Sequence, residues 1–271
     1  MDNASTDDSV AMVRANYPDV QLIENRENVG FARANNQAMR QATGDAFFLL
    51  NSDAELHAGT ADALADYMQA NPAVGAVAPT LLNPDGSFQG TFAQFPTLWR
   101  EFALITTLAR WTIGPHRPYL QPESETRPQT VDWITGAAFV LRRAAYEQVG
   151  GLDEAYFMYS EETDWCWRLR RARWEIACLP TVTVMHIGGG SSAERSADSY
   201  TQLYLSKVQY FDKIHGQLQA QILRWLFISV AASRIVMWRT MQLWRDAATQ
   251  RLRQDERLLA RLMAANVSWF A

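Results

Sequence analysis

Two side chains that could hold a metal through oxygen, Asn51 and Asp53, stand one residue apart at the end of a short apolar run. The run, Phe47 to Leu50, begins soon after Gly44 and has helical patterns on both sides, which predicts a buried strand of a parallel α/β sheet. Ligands of such sheets bind outside the carboxyl ends of the strands. Oxygen ligands there suit a hard divalent cation that also holds substrate phosphates. The alternative is that Asp53 only caps the next helix or forms a turn.

Three carboxylates, Glu161, Glu162 and Asp164, fall within four residues at the start of a predicted helix. The helix macrodipole stabilises negative charge at this end, so a structural role alone can explain them. The chemical alternative is a general base. A carboxylate crowded by others has a raised pKa and can accept a proton from a hydroxyl group.

One histidine, His186, ends a predicted strand and is followed by Gly188, Gly189 and Gly190. A lone histidine is commonly just a packed core or surface residue, whereas one at a strand end before a flexible loop can also bind a metal. The glycines would let backbone amides approach phosphate oxygens. A second candidate metal ligand therefore joins Asp53.

The elements that must position these residues alternate between helix and strand up to residue 86, which predicts a parallel doubly wound sheet. The predicted elements are a helix over 8–16 capped by Ser5 or Thr6, strand 20–24, helix 31–41, strand 46–50, helix 60–70, strand 74–78 and a hairpin turn at 83–86. Downstream we predict helix 97–111, a loop over 115–128, strands 131–134 and 137–142, helices 143–149 and 160–172, strands 175–179 and 181–186, a glycine-rich loop over 187–192, and long helices over 193–215 and 217–263.

The composition favours one large domain, or a domain with an appendage, since 48% of the 271 residues are hydrophobic. The net charge of −4 divides into −9 for residues 1–216 and +5 for residues 217–271. A basic, tryptophan-containing tail indicates a membrane surface rather than nucleic acid as partner. The two cysteines form no disulfide framework, which favours a reducing cytoplasm, and we expect neither a signal peptide nor a spanning helix.

The apolar tail segment 222–238 is interrupted by Arg224 and Arg234 and allows two interpretations. It could be a helix packed on the catalytic domain or on a second copy, giving a homodimer. It could instead lie in the plane of a membrane, with both arginines toward anionic lipid. The tryptophans expected near the headgroups are then Trp225, Trp238 and Trp244.

Seven segments, taken in order, resemble the family 2 glycosyltransferases with the GT-A fold, and in particular the rhamnosyltransferase-like branch that builds bacterial cell-surface polysaccharide. They are residues 2–7, 28–36, 49–53, 135–137, 149–153, 157–168 and 186–191. Each is weak alone, but seven in order are specific. The resemblance implies a doubly wound mixed α/β sheet over residues 1–200 and a helical C-terminal appendage over 201–271.

The resemblance also implies roles for individual residues. Asn51-Ser52-Asp53 stands where the family has its Asp-x-Asp motif, so Asp53 would bind Mg²⁺ or Mn²⁺, Asn51 replaces the first Asp, and His186 would complete the metal site. Glu162 stands at the position of the catalytic base, with Asp164 as second choice beside Glu161. The nucleotide would contact Asp2 and Asn3 and be bordered by Asn28, Gly30 and Asn36, and the acceptor would be bordered by Thr135, Gly136 and Ala137.

The implied reaction is inverting transfer of a sugar from a nucleotide-diphosphate sugar, with dTDP-rhamnose as the best single candidate, to a saccharide or lipid-linked saccharide. We expect it in the cytoplasm, at the inner face of the cell membrane. Family members begin with a further strand and helix before the Asp2-Asn3 turn. We therefore expect this 271-residue form to be less stable than a longer product, or inactive. The rivals are a non-catalytic nucleotide-sugar or glycan-binding remnant, and a nucleotidyltransferase, against which the order of the Asp53, Glu162 and His186 motifs argues.

Overall fold

The structure is a computed structural model that describes residues 1–106, 127–188, 196–242 and 248–264. Its helices are α1 (Ser9–Asn16), α2 (Phe31–Gln41), α3 (Thr60–Ala70), α4 (Leu98–Ile105), α5 (Arg143–Val149), α6 (Glu161–Arg171), α7 (Ser196–His215), α8 (Gln217–Gln242) and α9 (Ala248–Ala264). Its strands are β1 (Ala46–Leu50), β2 (Ala54–Leu56), β3 (Val74–Leu82), β4 (Phe88–Gln89), β5 (Phe92–Ala93), β6 (Gln129–Thr130), β7 (Trp133–Ile134), β8 (Ala138–Arg142) and β9 (Glu175–His186).

The main sheet has the strand order β1-β8-β3-β9-β2, with β4 added to β3 and β6 added to β9. Only the β3–β9 pair is parallel, and β1–β8, β3–β8 and β2–β9 are antiparallel. The mixed α/β sheet is therefore confirmed, whereas the parallel sheet predicted from the alternation is wrong. The reason is that β8 lies between β1 and β3 and runs antiparallel to both of them. Within the described residues, the other edge of β1 pairs with no strand.

Several predicted boundaries move, each for a local reason. The predicted strand 20–24 shrinks to one parallel bridge between Asp2 and Glu24. Helix α1 begins after Asp8, and neither Ser5 nor Thr6 caps it. The two strands predicted at 175–179 and 181–186 form the single strand β9, because an irregularity in its pairing with β3 accommodates Pro180. Of the predicted helix 97–111 the structure describes α4, and most of the loop over 115–128 lies outside the described residues.

The sheet is covered on both faces, as a doubly wound sheet requires. One face packs against α2, α5 and α6, and the other against α3. Strand β3 is buried from Val74 to Leu81, which explains its nearly continuous apolar sequence. The side chains that cover the first face are Ala32, Met39, Ala145, Trp165 and Leu169, and those that cover the second are Leu64 and Met68.

Helices α7, α8 and α9 form a second core that includes Ile105 of α4 and Tyr156. Lys207 of α7 also makes a 2.7 Å ion pair with the buried Glu101 of α4. The helical appendage is thus packed on the α/β domain. Its first helix begins at Ser196, so the predicted boundary at residue 200 falls inside α7.

Helix α8 is long and apolar enough to cross a bilayer, by length and composition alone. Its segment Gln217–Met237 has a mean hydropathy of 1.4 and is 33% buried against the rest of the protein. The expectation that no segment could span a membrane was therefore too strict. Helices of this composition also occur in the cores of soluble proteins.

Candidate active site

Asp53 and His186 are brought together by two neighbouring strands. Strand β2 begins directly after Asp53 and pairs with β9 so that Ala54 lies opposite His186. The backbone N–H of Ile187 donates to the carbonyl of Asp53 at 2.9 Å, which holds the start of β2 beside the end of β9. As a result, Nε2 of His186 lies 3.2 Å from Oδ1 of Asp53. The two predicted metal ligands, 133 positions apart in sequence, do meet in the fold.

This pair fits a divalent cation. Adjacent ligands of an octahedral ion with bonds of about 2.1 Å lie about 3 Å apart, close to the observed separation. Nε2 of His186 is buried and donates no hydrogen bond to a described residue. The described residues contain no cluster of three or more His, Cys, Asp or Glu side chains, and Asp53 and His186 are the carboxylate and the imidazole that they offer there. Mg²⁺ and Mn²⁺ commonly take their remaining ligands from substrate phosphates and water.

Asn51 and the predicted acceptor segment also adjoin each other. The backbone N–H of Asn51 donates to the carbonyl of Ala137 at 2.9 Å, where β1 pairs with β8. Thr135 is held by a backbone hydrogen bond from its N–H to the carbonyl of Thr91, at 2.8 Å. A side chain at Gly136 would come within 3.3 Å of the Phe31 ring, so α2 packs closely on this segment. Both segments therefore border the same end of the sheet.

Glu161 and Glu162 form the first turn of α6, and a constrained backbone precedes them. Tyr159 and Ser160 have φ angles of 69° and 68°, in the left-handed region that residues other than glycine rarely adopt. The carbonyl of Phe157 accepts from the N–H of Phe31 at 2.8 Å, which ties this loop to the start of α2. Such constraint is typical of segments that hold a reactive side chain in one orientation.

Burial raises the pKa of Glu162 to about 7, against backbone hydrogen bonds that lower it. Part of the residue remains accessible, while its Oε2 is enclosed and has no hydrogen-bond partner among the described residues. Burial, followed by the neighbouring charge of Glu162, also raises the pKa of Glu161 well above its usual range. Glu162 is therefore a carboxylate that can accept a proton near neutral pH, as a general base requires.

Asp164 has a different environment, and the structure does not support its choice as the alternative base. Its side chain is fully buried, with Oδ2 2.9 Å from Nε of Arg168 and Oδ1 2.7 Å from Nζ of Lys213. Lys213 also reaches Asp153 at 2.7 Å, which links α6 to α7. Both oxygens of the Asp164 carboxylate are therefore occupied by ion pairs inside the protein. We assign Asp164 a structural role.

The residues expected at the nucleotide form one connected group. Asn3 donates from Nδ2 to Oδ1 of Asn28 at 2.8 Å and accepts at Oδ1 from the N–H of Val29 at 3.1 Å. Oδ1 of Asn28 in turn accepts from the N–H of Gly30 at 3.0 Å. The Asp2 carboxylate accepts hydrogen bonds from the backbone N–H groups of Ala4 and Ser5, and these bonds stabilise the turn. The turn at Asp2 and the loop before α2 thus form one surface.

Asn36 does not belong to that surface. Its side chain is 4% exposed, accepts from the N–H of Leu152 at 2.9 Å and donates to the Leu152 carbonyl at 2.8 Å and to Glu154 at 3.0 Å. A Cβ at Gly151 would lie 2.3 Å from Oδ1 of Asn36. The side chain of Asn36 is thus engaged inside the protein and does not join the surface formed by Asp2, Asn3, Asn28 and Gly30. Asn36 instead connects α2 to the turn at Leu152 through these hydrogen bonds.

Known proteins share both the sequence and the fold. A sequence model of Glycosyl transferase family 2 matches residues 1–150. The N-acetylglucosaminyl-diphospho-decaprenol L-rhamnosyltransferase of Mycobacterium tuberculosis is 31% identical over 236 residues, which are 83% of this chain and 77% of that protein. The chain belongs to glycosyltransferase family 2. The O-antigen biosynthesis protein RfbC of Myxococcus xanthus is 30% identical over 61% of this family 2 chain and 12% of its own length.

A solved structure shares the fold of this chain. The mannosyltransferase PcManGT from Pyrobaculum calidifontis, in complex with GDP-Man and Mn²⁺, aligns with a TM-score of 0.50 at 17% identity, over 97% of this chain and 75% of that one. The family 2 protein thus has the GT-A fold and is a glycosyltransferase.

Three groups that support the candidate site residues were not predicted from the sequence. Gln89 contacts His186, the carbonyl of Phe157 holds the start of α2, and Tyr159 precedes the carboxylates with a left-handed backbone. Gln89 follows a turn that was interpreted only as part of a hairpin. Its amide is a polar group in a segment that pairs with a buried strand, and this could have drawn attention to it.

Proposed function

We propose that this glycosyltransferase is an inverting, metal-dependent enzyme that transfers rhamnose from dTDP-rhamnose to a saccharide or lipid-linked saccharide during cell-surface polysaccharide synthesis. The observation that carries the chemistry is Glu162, an enclosed carboxylate with a pKa of about 7 in the first turn of α6. Asp53 and His186, which meet at the end of the sheet, are the residues that would hold the metal. The choice of rhamnose rests on the mycobacterial relative, which is named as an L-rhamnosyltransferase.

In the proposed reaction, Glu162 accepts the proton of the acceptor hydroxyl as that oxygen attacks the anomeric carbon of the donor. The bond from that carbon to the diphosphate oxygen breaks, and its electron pair leaves with the nucleoside diphosphate. Attack from the face opposite the leaving group inverts the anomeric centre. Asp53 and His186 would hold Mg²⁺ or Mn²⁺, which when bound supplies positive charge against the diphosphate.

The positions of the candidate site residues also indicate where the donor and the acceptor would bind. We assign the nucleotide to the surface formed by Asp2, Asn3, Asn28 and Gly30, where amide and backbone groups are already ordered by one another. We assign the acceptor to the side bordered by the segment 135–137, which adjoins Asn51. The donor would then lie between these surfaces, with its diphosphate toward Asp53.

We further propose that the protein works at the cytoplasmic face of the cell membrane and contacts it through residues 217–263. The support is an exposed apolar stripe on α8, formed by Leu218, Ile222, Trp225 and Val236. At 100° per residue these four side chains fall within an arc of about 60°. A lipid-linked acceptor, as in the name of the mycobacterial relative, would require such contact. The other occupant of the stripe would be a second copy of the chain.

The transfer is tested by release of nucleoside diphosphate. The protein is incubated with dTDP-rhamnose and a panel of other nucleotide-sugars, with Mn²⁺ or Mg²⁺, and with membrane extract as acceptor. We expect release with dTDP-rhamnose, abolished by EDTA and reduced at least about a hundredfold by Glu162→Gln. Glu147→Gln, at an exposed position of α5, is the matched control. Binding of a nucleotide-sugar without any release would instead identify a non-catalytic binding protein.

A further inference from the structure

The β3–β4 hairpin places an amide side chain against the predicted metal ligand His186. Oε1 of Gln89 lies 2.6 Å from Nδ1 of His186, and Nε2 of Gln89 lies 3.2 Å from the backbone carbonyl oxygen of the same histidine. A carbonyl oxygen can only accept a hydrogen bond. The NH₂ group of Gln89 must therefore face the carbonyl, which turns its oxygen toward Nδ1. Since that oxygen can only accept, Nδ1 carries the proton.

A second set of hydrogen bonds fixes the same orientation from the turn. Gln89 Nε2 donates to Oδ1 of Asn83 at 3.0 Å, and Asn83 Nδ2 donates to Oγ of Ser87 at 2.9 Å. The Ser87 hydroxyl donates to Oδ1 of Asp85 at 2.6 Å. An ionised carboxylate only accepts, so every donor in the series points the same way. Asp85 and the His186 carbonyl thus orient Gln89 independently.

The orientation of the histidine ring follows. With its proton on Nδ1, a neutral imidazole presents a lone pair at Nε2. Nε2 is buried, donates to no described residue, and lies 3.2 Å from Oδ1 of Asp53. Their separation is that of two adjacent ligands of one octahedral cation, so the two atoms could bind the same ion. The arrangement is the one that a metal-binding histidine needs, with its other nitrogen held by an acceptor outside the site.

We propose that Gln89 is a positioning residue of the active site. The series Asp85, Ser87, Asn83 and Gln89 holds His186 in the tautomer with the proton on Nδ1, so that Nε2 faces a divalent cation beside Asp53. This rests on the metal-dependent function proposed above and names the residues that prepare its histidine ligand. The hairpin turn, which lies outside the sequence motifs of the site, therefore orients a residue that would hold the metal.

The tautomer is measured directly in protein labelled with ¹⁵N at histidine, by long-range ¹H–¹⁵N correlation spectra, with His186 assigned from His186→Gln. Affinity for Mn²⁺ is measured in parallel from the electron paramagnetic resonance signal of the free ion. In the wild-type protein we expect His186 with its proton on Nδ1. Gln89→Met keeps the side-chain length but removes the acceptor, and we expect a mixture of tautomers and a loss of Mn²⁺ affinity of about 10- to 100-fold.

Two further variants separate positioning from general damage to the fold. Ser87→Ala removes the link between Asn83 and Asp85 but leaves the contact of Gln89 with the histidine ring. We expect Mn²⁺ affinity to fall, as in Gln89→Met, but only about two- to threefold. Gln41→Met removes an exposed glutamine of α2 that accepts from Gln21, and should leave both readouts unchanged.

A proton on Nε2 of His186 in the wild-type protein, or unchanged tautomer and Mn²⁺ affinity in Gln89→Met, would overturn the proposal. The proposed function fails in a different way. If His186 carries its proton on Nδ1, and Gln89→Met disturbs this, but EDTA does not reduce nucleotide release by the wild-type protein, then the metal-dependent function is wrong while the role of Gln89 in orienting the ring is supported.

Discussion

Glu162 is held in an environment that disfavours its charge, because its Oε2 is enclosed and Glu161 lies beside it. The same burial that raises its pKa to about 7 makes the carboxylate a stronger proton acceptor. A general base with a pKa near the working pH combines a large deprotonated fraction with a strong drive to accept the proton. At the scale of one residue, the site exchanges stability of the fold for reactivity.

The first prediction concerns the stability of Glu162→Gln. The folded-state pKa of about 7 lies above the ordinary value of 4.5, so ionisation of Glu162 destabilises the native state progressively as the pH rises from 4.5 through 7. We expect the glutamine variant to gain up to about 3 kcal/mol of unfolding free energy relative to wild type between pH 5 and pH 8. Denaturant unfolding at the two pH values measures it. An equal difference at both would contradict the raised pKa.

The second prediction concerns the pH dependence of the reaction. Below a pH of about 7, Glu162 is increasingly protonated, so kcat/KM should fall about tenfold per pH unit. Measuring nucleotide release between pH 5 and pH 9 gives this profile. Asp164→Asn serves as a comparison, since a structural residue should lower stability without moving the midpoint. A midpoint that moved in Asp164→Asn would restore it as the base.

At the scale of elements, the site depends on contacts between segments far apart in sequence. Asn36 of α2 holds the turn at Leu152, and α7 holds the loop before α6, since Oγ of Ser206 donates to the carbonyl of Met158 at 2.7 Å. The strained backbone at Tyr159 and Ser160 lies directly after this contact. The appended helices therefore help to keep Glu162 in place.

The third prediction tests the structural role of Asn36. Asn36→Ala would leave the buried N–H and carbonyl of Leu152 without partners, so we expect a loss of about 2 to 4 kcal/mol in unfolding free energy. Asn35→Ala, one residue earlier on the same helix, removes only a local hydrogen bond to Phe31 and should cost less than about 1 kcal/mol. Chemical denaturation gives both values.

Nucleotide-sugar affinity distinguishes the two roles of Asn36. If the residue is structural, the folded Asn36→Ala protein should keep its affinity within about twofold. A large loss of affinity with little loss of stability would return Asn36 to the nucleotide surface.

At the scale of the whole molecule, α8 directs two of its arginines, Arg224 and Arg234, to groups of the protein. Arg224 donates to the carbonyls of Leu262 and Met263 at the end of α9, and Arg234 donates to Tyr200 and to the carbonyl of Ile105. The expectation that these arginines face anionic lipid is therefore wrong. The α8 stripe is left apolar, and of the three tryptophans expected near headgroups, Trp225 is 55% exposed. Trp244 and the side chain of Trp238 lie outside the described part of the chain.

The fourth prediction follows from this uncharged stripe. Binding to vesicles should be driven by apolar burial, so it should occur on neutral phosphatidylcholine vesicles and change little with salt. Replacing Leu218, Trp225 and Val236 together by Ser should weaken it at least about a hundredfold. The matched control replaces Met12, Tyr17 and Val20, which are exposed to similar extents, by Ser. Co-sedimentation measures the binding.

Other outcomes of the vesicle experiment are equally informative. Binding that needs anionic lipid and disappears at high salt would contradict contact through the α8 stripe. A stable dimer in solution, lost in the triple variant, would show that a second copy covers the stripe instead.

Local sequence determined much of the framework and drew attention to the two residues that we propose as metal ligands. Helices α2, α3 and α5 begin and end where apolar spacing and glycine or proline signals place them. Asp53 and His186 were found because polar residues at strand ends mark the ligand-binding edge of an α/β sheet. These features depend on neighbours within a few residues, so the sequence alone contains them.

The tertiary structure alone decided which polar residues face the site. It buried Asn36 and Asp164 in structural contacts, placed Gln89 on His186, and turned Arg224 and Arg234 into the protein. It also inserted β8 between β1 and β3, which the local alternation did not indicate. Such outcomes depend on partners that are distant in sequence. The type of a side chain gives its capacity to bond, but only the packing of the chain decides which group satisfies it.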